Sequence, residues 1–367
     1  MILRLLLALL VVLGQTAGTA ALEPSAAPPP LLRNYFELTI TIDRQKLRLE
    51  AMEVRPRGPG PFPLVVLAHG KQSGEEGRRG QAPSNMGAEA VAFARRGFVA
   101  IVAMRPGYGS SQGRYAEDDG NCAATRYLEA TRAGGRELVA IVSASVTRPG
   151  IDRSRILVAG TSVGGVATLA LAQMPPPGVL GAINFSGGRG HDPDTKTVCQ
   201  QDKLVETIRG FAKGTRLPSL WMYAENDRVF PPDLARAMHR AYAEAGGPAR
   251  LVIVPPIPGD GHLLSRLGTA WNQPVDEFLK QVGLPTLPPQ PPSDAPSTLA
   301  PKARDEFAAF STSLAPFRAF ATSPSGTYAW MGSTRSASDA RRAALAKCQQ
   351  VASACDVLAE ISEIEDR

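Results

Sequence analysis

The spacing of hydrophobic residues changes character early in the chain. "YFELTITI" (35–42) and "LRLEAMEV" (47–54) alternate apolar and polar positions, the period-2 pattern of two antiparallel strands. After the turn "RPRGPGPFP" the alternation stops. "LVVLA", "FVAIVAM", "RILVAG", "VLGAINF", "SLWMYA" and "RLVIVP" are short, nearly continuous apolar runs. Such runs suit strands covered on both faces, as in a parallel sheet. Helical segments are expected between them at Met86–Arg96, Tyr127–Val146, Val163–Gln173, Asp202–Ala212 and Asp233–Ala245, with another at Trp271–Lys280 after the last run. Strand and helix thus alternate from Leu64 to Lys280, which predicts an α/β fold built on a doubly wound, mostly parallel sheet.

Both ends of the chain read differently. Arg4, the apolar run Leu5–Leu13 and the small residues Ala17 to Ala21 have the order of a signal peptide, expected over 1–21. The apolar run is well short of the ~20 residues of a membrane span. The expectation is export, to the periplasm or beyond, after cleavage. Residues 34–283 hold the large domain. Residues 284–303 read as an extended linker, since "LPTLPPQPPSDAPSTLAP" carries seven prolines. Residues 304–367 form a small α+β module, with a strand or hairpin at "GTYAWMGST" and a helix at "SASDARRAALAKCQQVA" starting from a Ser or Asp cap.

Export gives the four cysteines a meaning, because disulfides persist in oxidising compartments. Cys348 and Cys355 lie close in sequence and are expected to pair, leaving Cys122 and Cys199 for a longer bridge; four free thiols are the alternative. The other compositional signals exclude more than they assign. The chain has 367 residues, 44% hydrophobic and 20% charged, which is enough for a sizeable core. A net charge of +6 comes from scattered basic residues without interleaved aromatics, which argues against nucleic-acid binding. No Cys/His spacing resembles a zinc site. Gly107-x-Gly109 lacks the continuation into a helix that a dinucleotide fingerprint needs. Neither a metal nor a cofactor is expected.

The candidate chemistry lies in a motif that occurs twice. Gly-x-Ser-x-Gly appears at 109–113 and again within "ILVAGTSVGG" (156–165). A nucleophile elbow needs a buried strand ending at the first glycine and a helix starting just after the serine. Ser162 meets both conditions, with "RILVA" before it and "VGGVATLALAQM" after it. Ser111 sits in a polar, glycine-rich stretch and reads as a loop at the rim of the sheet. A serine hydroxyl needs a base and an orienting acid, which in this strand-and-helix arrangement follow in the order Ser, Asp or Glu, His. Of the four histidines, His262 in "PGDGHLL" has the right order and follows the last strand, whereas His239 falls inside a helix and His191 is the weaker rival. Asp227 in "WMYAENDRVFPP" is the expected acid, ahead of Glu225; Asp233 belongs to the next helix, and Asp260 is expected to shape the loop before His262. Backbone N–H groups of Val163 and Lys71 are the expected oxyanion donors, with Gly70 permitting close approach.

In order along the chain, "VVLAHG", "RPGYGSSQG", "ILVAGTSVGG", "WMYAENDRVFPP" and "GDGHLL" resemble the α/β-hydrolase superfamily, and within it the dienelactone-hydrolase-like and prolyl-oligopeptidase-like branch, over about residues 36–283. The resemblance implies a serine hydrolase of carboxylic esters working through an acyl-enzyme. Dienelactone hydrolases proper carry a cysteine where Ser162 stands, which argues against a dienelactone substrate. Prolyl-oligopeptidase relatives carry a propeller, for which no room is expected before residue 36, so a small-molecule ester is favoured over a peptide. The C-terminal unit resembles small disulfide-bearing modules of exported bacterial proteins. Two other readings remain at this point: a peptidase or amidase using the same three side chains, and a non-catalytic protein whose C-terminal unit contacts the cell envelope.

Overall fold

A computed structural model describes residues 30–288, 295–313, 315–333 and 335–367 of the chain. The expected signal peptide and residues 289–294 of the expected linker lie outside the described residues.

The alternating segments form β1 (Leu31–Ile42) and β2 (Gln45–Arg55), an antiparallel pair. The apolar runs follow: β3 (Phe62–Ala68) and β4 (Val99–Ala103), with helices α1 (Gly74–Arg79) and α2 (Gly87–Ala94) between them. A two-residue ladder, β5 (Gly120–Asn121) with β6 (Ala124–Thr125), leads into α3 (Tyr127–Ser145), β7 (Ile151–Thr161), α4 (Val163–Ala172) and β8 (Val179–Phe185). A second short ladder, β9 (His191–Asp192) with β10 (Thr197–Val198), precedes α5 (Gln201–Ala212), β11 (Ser219–Ala224), α6 (Pro232–Glu244), β12 (Ala249–Val254) and α7 (Gly268–Gln281). The C-terminal unit contributes α8 (Pro301–Thr312), β13 (Phe317–Thr322), β14 (Tyr328–Ser333), α9 (Ala337–Gln349), β15 (Asp356–Ser362) and β16 (Ile364–Asp366).

Among the described residues the main sheet has nine strands, in the order β12-β11-β8-β7-β3-β4-β2-β1-β16. The pairs from β12 to β4 are all parallel, and β4–β2 and β2–β1 are antiparallel. The continuous apolar runs are explained by two cores. Val65 and Leu67 of β3 pack with α2 and α7 on one face, while Leu64, Val66 and Ala68 pack with α3 and α4 on the other. Both faces therefore select apolar side chains.

Two helices, α1 and α8, fall outside the expected helical segments. α1 buries none of its residues and contains glycine, so it depends on Glu75 and Glu76 in its first turn and Arg78 and Arg79 in its last. α8 starts with Pro301 at its first position, where a missing N–H costs nothing, so the helix begins inside the segment 284–303 expected as linker. The α9 helix starts as expected from a serine cap, with Ser336 Oγ accepting the Asp339 N–H at 3.1 Å.

The C-terminal unit is not set apart from the sheet. β16 pairs in parallel with Leu31–Arg33, and Phe317, Ala319 and Ile364 join the same core as Met52, Val65 and Trp271. Arg33 holds Asp366 in a bidentate contact at 2.6 and 3.0 Å. Glu363 is shared between Arg95 of the large domain and the buried Arg318. Removing Glu363 leaves the buried Arg318 charge with backbone carbonyls only, those of Ser311, Ser313 and Ala315. Glu363→Ala is expected to destabilise the protein by about 3 kcal/mol, read as a lower urea midpoint at an unchanged denaturant slope; an unaltered midpoint contradicts this account of the docking.

Candidate active site

β7 ends at Thr161, and the chain reverses into α4 through Ser162, whose φ of 58° and ψ of −126° lie outside the helical and extended regions. This is a costly conformation for an L-residue, and tight packing enforces it. A Cβ on Gly160 would collide with the Gly164 carbonyl, and one on Gly164 would strike the carbonyls of Ala68 and His69. The Ser162 N–H donates to Phe185 O at 3.0 Å, and Ser162 O accepts from Gly165 N–H at 2.9 Å. The serine is thus fixed at the carboxyl end of the sheet.

Asp227 follows β11. Its buried carboxylate accepts the N–H groups of Val229 and Phe230, both at 2.9 Å, through Oδ1. Both of its oxygens lie 3.3 Å from His262 Nδ1. His262 occupies a 3-10 turn over Gly261–Arg266 after β12, and Phe230 packs edge-on against its ring at 5.4 Å. Asp260 caps that turn, accepting the His262 N–H at 3.0 Å and the Arg228 N–H at 3.2 Å. Asn226 laces the two loops together: its side chain donates to Ile257 O at 2.8 Å and accepts Ile257 N–H at 3.0 Å. Aspartate at Nδ1 leaves Nε2 as the ring nitrogen without a carboxylate partner.

Ser162 and His262 line one cavity of about 420 Å³, together with Gly70, Lys71, Gln81 and Glu89. Among the described residues neither the Lys71 nor the Val163 N–H has a hydrogen-bond acceptor. A Cβ on Gly70 would come within 3.2 Å of Ser162 Cβ, so the loop after β3 lies directly against the serine. The rivals are elsewhere. Glu225 is exposed and pairs with Arg236, His239 bonds Ala249 O at 3.0 Å, and His191 belongs to β9. Ser111 is buried, donating to Met104 O at 2.6 Å and accepting Glu50 N–H at 2.9 Å, a structural brace for its loop.

A charged network that the sequence pattern does not disclose borders the cavity, with His69 and Lys71 among the lining residues. His69 is buried, its Nε2 accepting the Arg105 N–H at 3.1 Å and its Nδ1 lying 2.8 Å from Gly70 O. The ring is therefore the neutral Nδ1–H tautomer. Burial, reinforced by the Arg105 charge, lowers its pKa to about 3. Arg105 also donates to His69 O at 2.9 Å. The buried Glu117 receives Arg105 and Arg189, each at 2.5 Å. Burial alone would raise this carboxyl, but the two guanidinium groups outweigh it and hold it at about 2. Arg189 reaches Asp119 at 2.8 Å, which in turn holds the Lys71 ammonium at 3.2 Å. Burial and the neighbouring Glu117 charge push the Glu137 carboxyl well up.

The structure brings Cys122 to Cys199 (Cα–Cα 4.9 Å) and Cys348 to Cys355 (6.2 Å), both as disulfides. Asp192 stands beside the first pair and completes a group with metal-ligating atoms, but with the sulfurs joined to each other it offers no thiolate.

A parallel sheet of this order, with a serine elbow at its carboxyl edge and an Asp-bound histidine beside it, defines the class as α/β hydrolase. Residues 49–262, more than half of the chain, match the dienelactone hydrolase family, and the chain belongs to that family. No curated protein matches the sequence. Among solved structures the chain is similar to a predicted CIB-like hydrolase from Thermoplasma acidophilum, at 17% identity over 67% of this chain and 98% of that one, with a TM-score of 0.45. It is also similar to Thermogutta terrifontis esterase 2 phosphonylated by cyclosarin, at 17% identity, 70% and 96% coverage and a TM-score of 0.46. Similarity to Pyrococcus horikoshii acylaminoacyl peptidase is 16% identity over 72% of this chain but only 43% of that one, with a TM-score of 0.47.

The His69 environment fixes a sign for acid stability. The unfolded imidazole takes up a proton near pH 6.5, whereas the folded one resists until about 3. Stability contributed by the neutral ring is complete above pH 6.5 and is lost as the pH falls through that window, at about 1.4 kcal/mol per pH unit. His69→Asn should unfold with a shallower acid dependence than the wild type; equal slopes from pH-dependent urea titrations contradict the assignment.

Proposed function

We propose that this hydrolase is an exported serine esterase in which Ser162, His262 and Asp227 act together. The observation that carries the reading is the shared cavity: Ser162 stands there on a forced elbow, and His262 faces the same space with its Nδ1 against a buried carboxylate. His262 Nε2 removes the hydroxyl proton as Ser162 Oγ adds to the ester carbonyl carbon. The carbonyl electron pair moves onto oxygen, where the free N–H groups of Lys71 and Val163 receive the charge. Collapse breaks the carbon–oxygen bond to the alcohol, which takes the proton back from His262. Water then repeats the sequence on the acyl-enzyme and regenerates Ser162.

Asp227 holds the proton on Nδ1 and stabilises the imidazolium as it forms. Its own bonds to Val229 and Phe230 keep the carboxylate from turning away. Export is supported by the two disulfides, which need an oxidising compartment. No helix among the described residues is long and apolar enough to cross a membrane. Among the described residues Met86 and Leu263 are the only apolar aliphatic side chains along the cavity wall, which supports small esters over long acyl chains.

Purified wild-type protein should bind a fluorophosphonate probe covalently and hydrolyse short-chain p-nitrophenyl esters faster than aminoacyl anilides. Ser162→Ala should fold normally, lose the label and lose roughly 10⁶-fold in kcat. Retained labelling in that variant removes Ser162 from the mechanism. Asp227→Asn should keep the cavity but lose about 10⁴-fold in kcat, through the wrong imidazole tautomer; a loss under tenfold assigns the orienting role to another group.

A further inference from the structure

The loop that supplies the Lys71 N–H has an unusual attachment. The Gly70 carbonyl oxygen is contacted by His69 Nδ1 at 2.8 Å and accepts a hydrogen bond from Gln81 Nε2 at 3.2 Å. The other end of the same carboxamide, Gln81 Oε1, accepts the Gln72 N–H at 3.1 Å. Gln81 therefore grips the peptide before Lys71 and the peptide after it.

A trans peptide is planar, with its C=O and N–H on opposite sides. Fixing the Gly70 oxygen against His69 and Gln81 sends the Lys71 N–H the other way. That N–H has no acceptor among the described residues, and the Gly70 α-carbon lies against Ser162, where a Cβ would be 3.8 Å from Oγ. A side-chain amide presents a neutral donor and an acceptor on one carbon, and an asparagine would fall one methylene short.

Gln81 itself is tied down. It follows α1, and its N–H donates to Arg78 O at 3.3 Å. The Arg79 guanidinium donates to Gly109 O at 3.3 Å and Ser111 O at 3.2 Å, and Arg78 stacks over Tyr115 at 4.0 Å. The segment that carries Gln81 is thus anchored by polar contacts to the loop after β4, although α1 buries none of its own residues.

We propose that Gln81 is a positioning residue for ester hydrolysis, holding the Lys71 N–H in the orientation that receives the oxyanion. The proposal rests on the reading of Ser162 as nucleophile. Such an interaction matters when charge develops and little in the ground state, so it acts on kcat with KM unaltered.

The test uses the full-length protein with p-nitrophenyl acetate and a trifluoromethyl ketone that adds reversibly to the serine. Gln81→Met keeps the length of the side chain and removes donor and acceptor together. Gln81→Glu keeps the acceptor for Gln72 but places an ionised oxygen against the Gly70 carbonyl. Both are expected to lose roughly 10- to 100-fold in kcat, short of the ~10²–10³ that loss of an oxyanion donor costs. KM should stay within about twofold, and ketone affinity should fall in parallel with kcat. Should Gln81→Met not fold, Gln81→Glu carries the same comparison. Unchanged kcat in a folded variant, or a loss expressed in KM alone, overturns the proposal while leaving the serine esterase reading intact. Failure of the wild type to take up fluorophosphonate overturns both.

Discussion

The site depends on one strained backbone position. Ser162 holds a positive φ, and no single hydrogen bond compels it; the constraint is steric. β3 and β7 are adjacent parallel strands, and α4 must begin so close to the end of β3 that a Cβ on Gly164 would strike the carbonyls of Ala68 and His69. A side chain at either flanking glycine would push α4 outward, relax the turn and withdraw the serine hydroxyl from the cavity. The stability that offsets this strain comes from elsewhere in the fold, chiefly from Val166, Ala167, Leu169 and Leu171, which bury the helix against its neighbours.

Around this fixed point the loops are held by charge rather than by apolar packing. Glu117 joins Arg105, which holds the His69 carbonyl, to Arg189, which comes from the segment after β8. Three crossings of the sheet's carboxyl edge are thereby tied to one carboxylate. An isolated buried charge is costly, and removing one member strands the rest. That property gives the network its value: the loops have one arrangement in which every full charge has a partner, and small displacements are penalised steeply. Apolar packing would stabilise as well but would tolerate sliding.

The sheet was legible because burial on both faces leaves a one-dimensional trace, the unbroken apolar runs from "LVVLA" to "RLVIVP". Asp227 and His262 could be marked because the carboxyl ends of β11 and β12 can be read from the same runs. The charged network leaves no trace. Arg105, Glu117 and Arg189 sit in glycine-rich loops, where a charged residue ordinarily faces water, and their burial follows only from three loops converging. Gln81 and Asn226 were hidden for the same reason: each acts by joining segments distant in sequence. β16 carries no pattern either, being a three-residue strand of Ile364, Glu365 and Asp366 whose pairing is set by contacts with Arg33 and its neighbours.

The register of β16 also separates the C-terminal unit from the chemistry. Leu32 lies opposite Arg55 in β2, and Val54 lies opposite Ala100, at the start of β4. The parallel strands run from that end toward Ser162, and Ala103 at the far end of β4 lies opposite Ala51. β16, paired with Leu31–Arg33, therefore adds to the sheet at the amino ends of the parallel strands, a full strand length from the elbow. Its pairing covers the opening residues of β1 at the outer edge of the antiparallel pair, where unpaired N–H and C=O groups invite association with another chain. The docked unit thus extends the sheet at the end away from the elbow, and among the described residues none of its side chains lines the cavity.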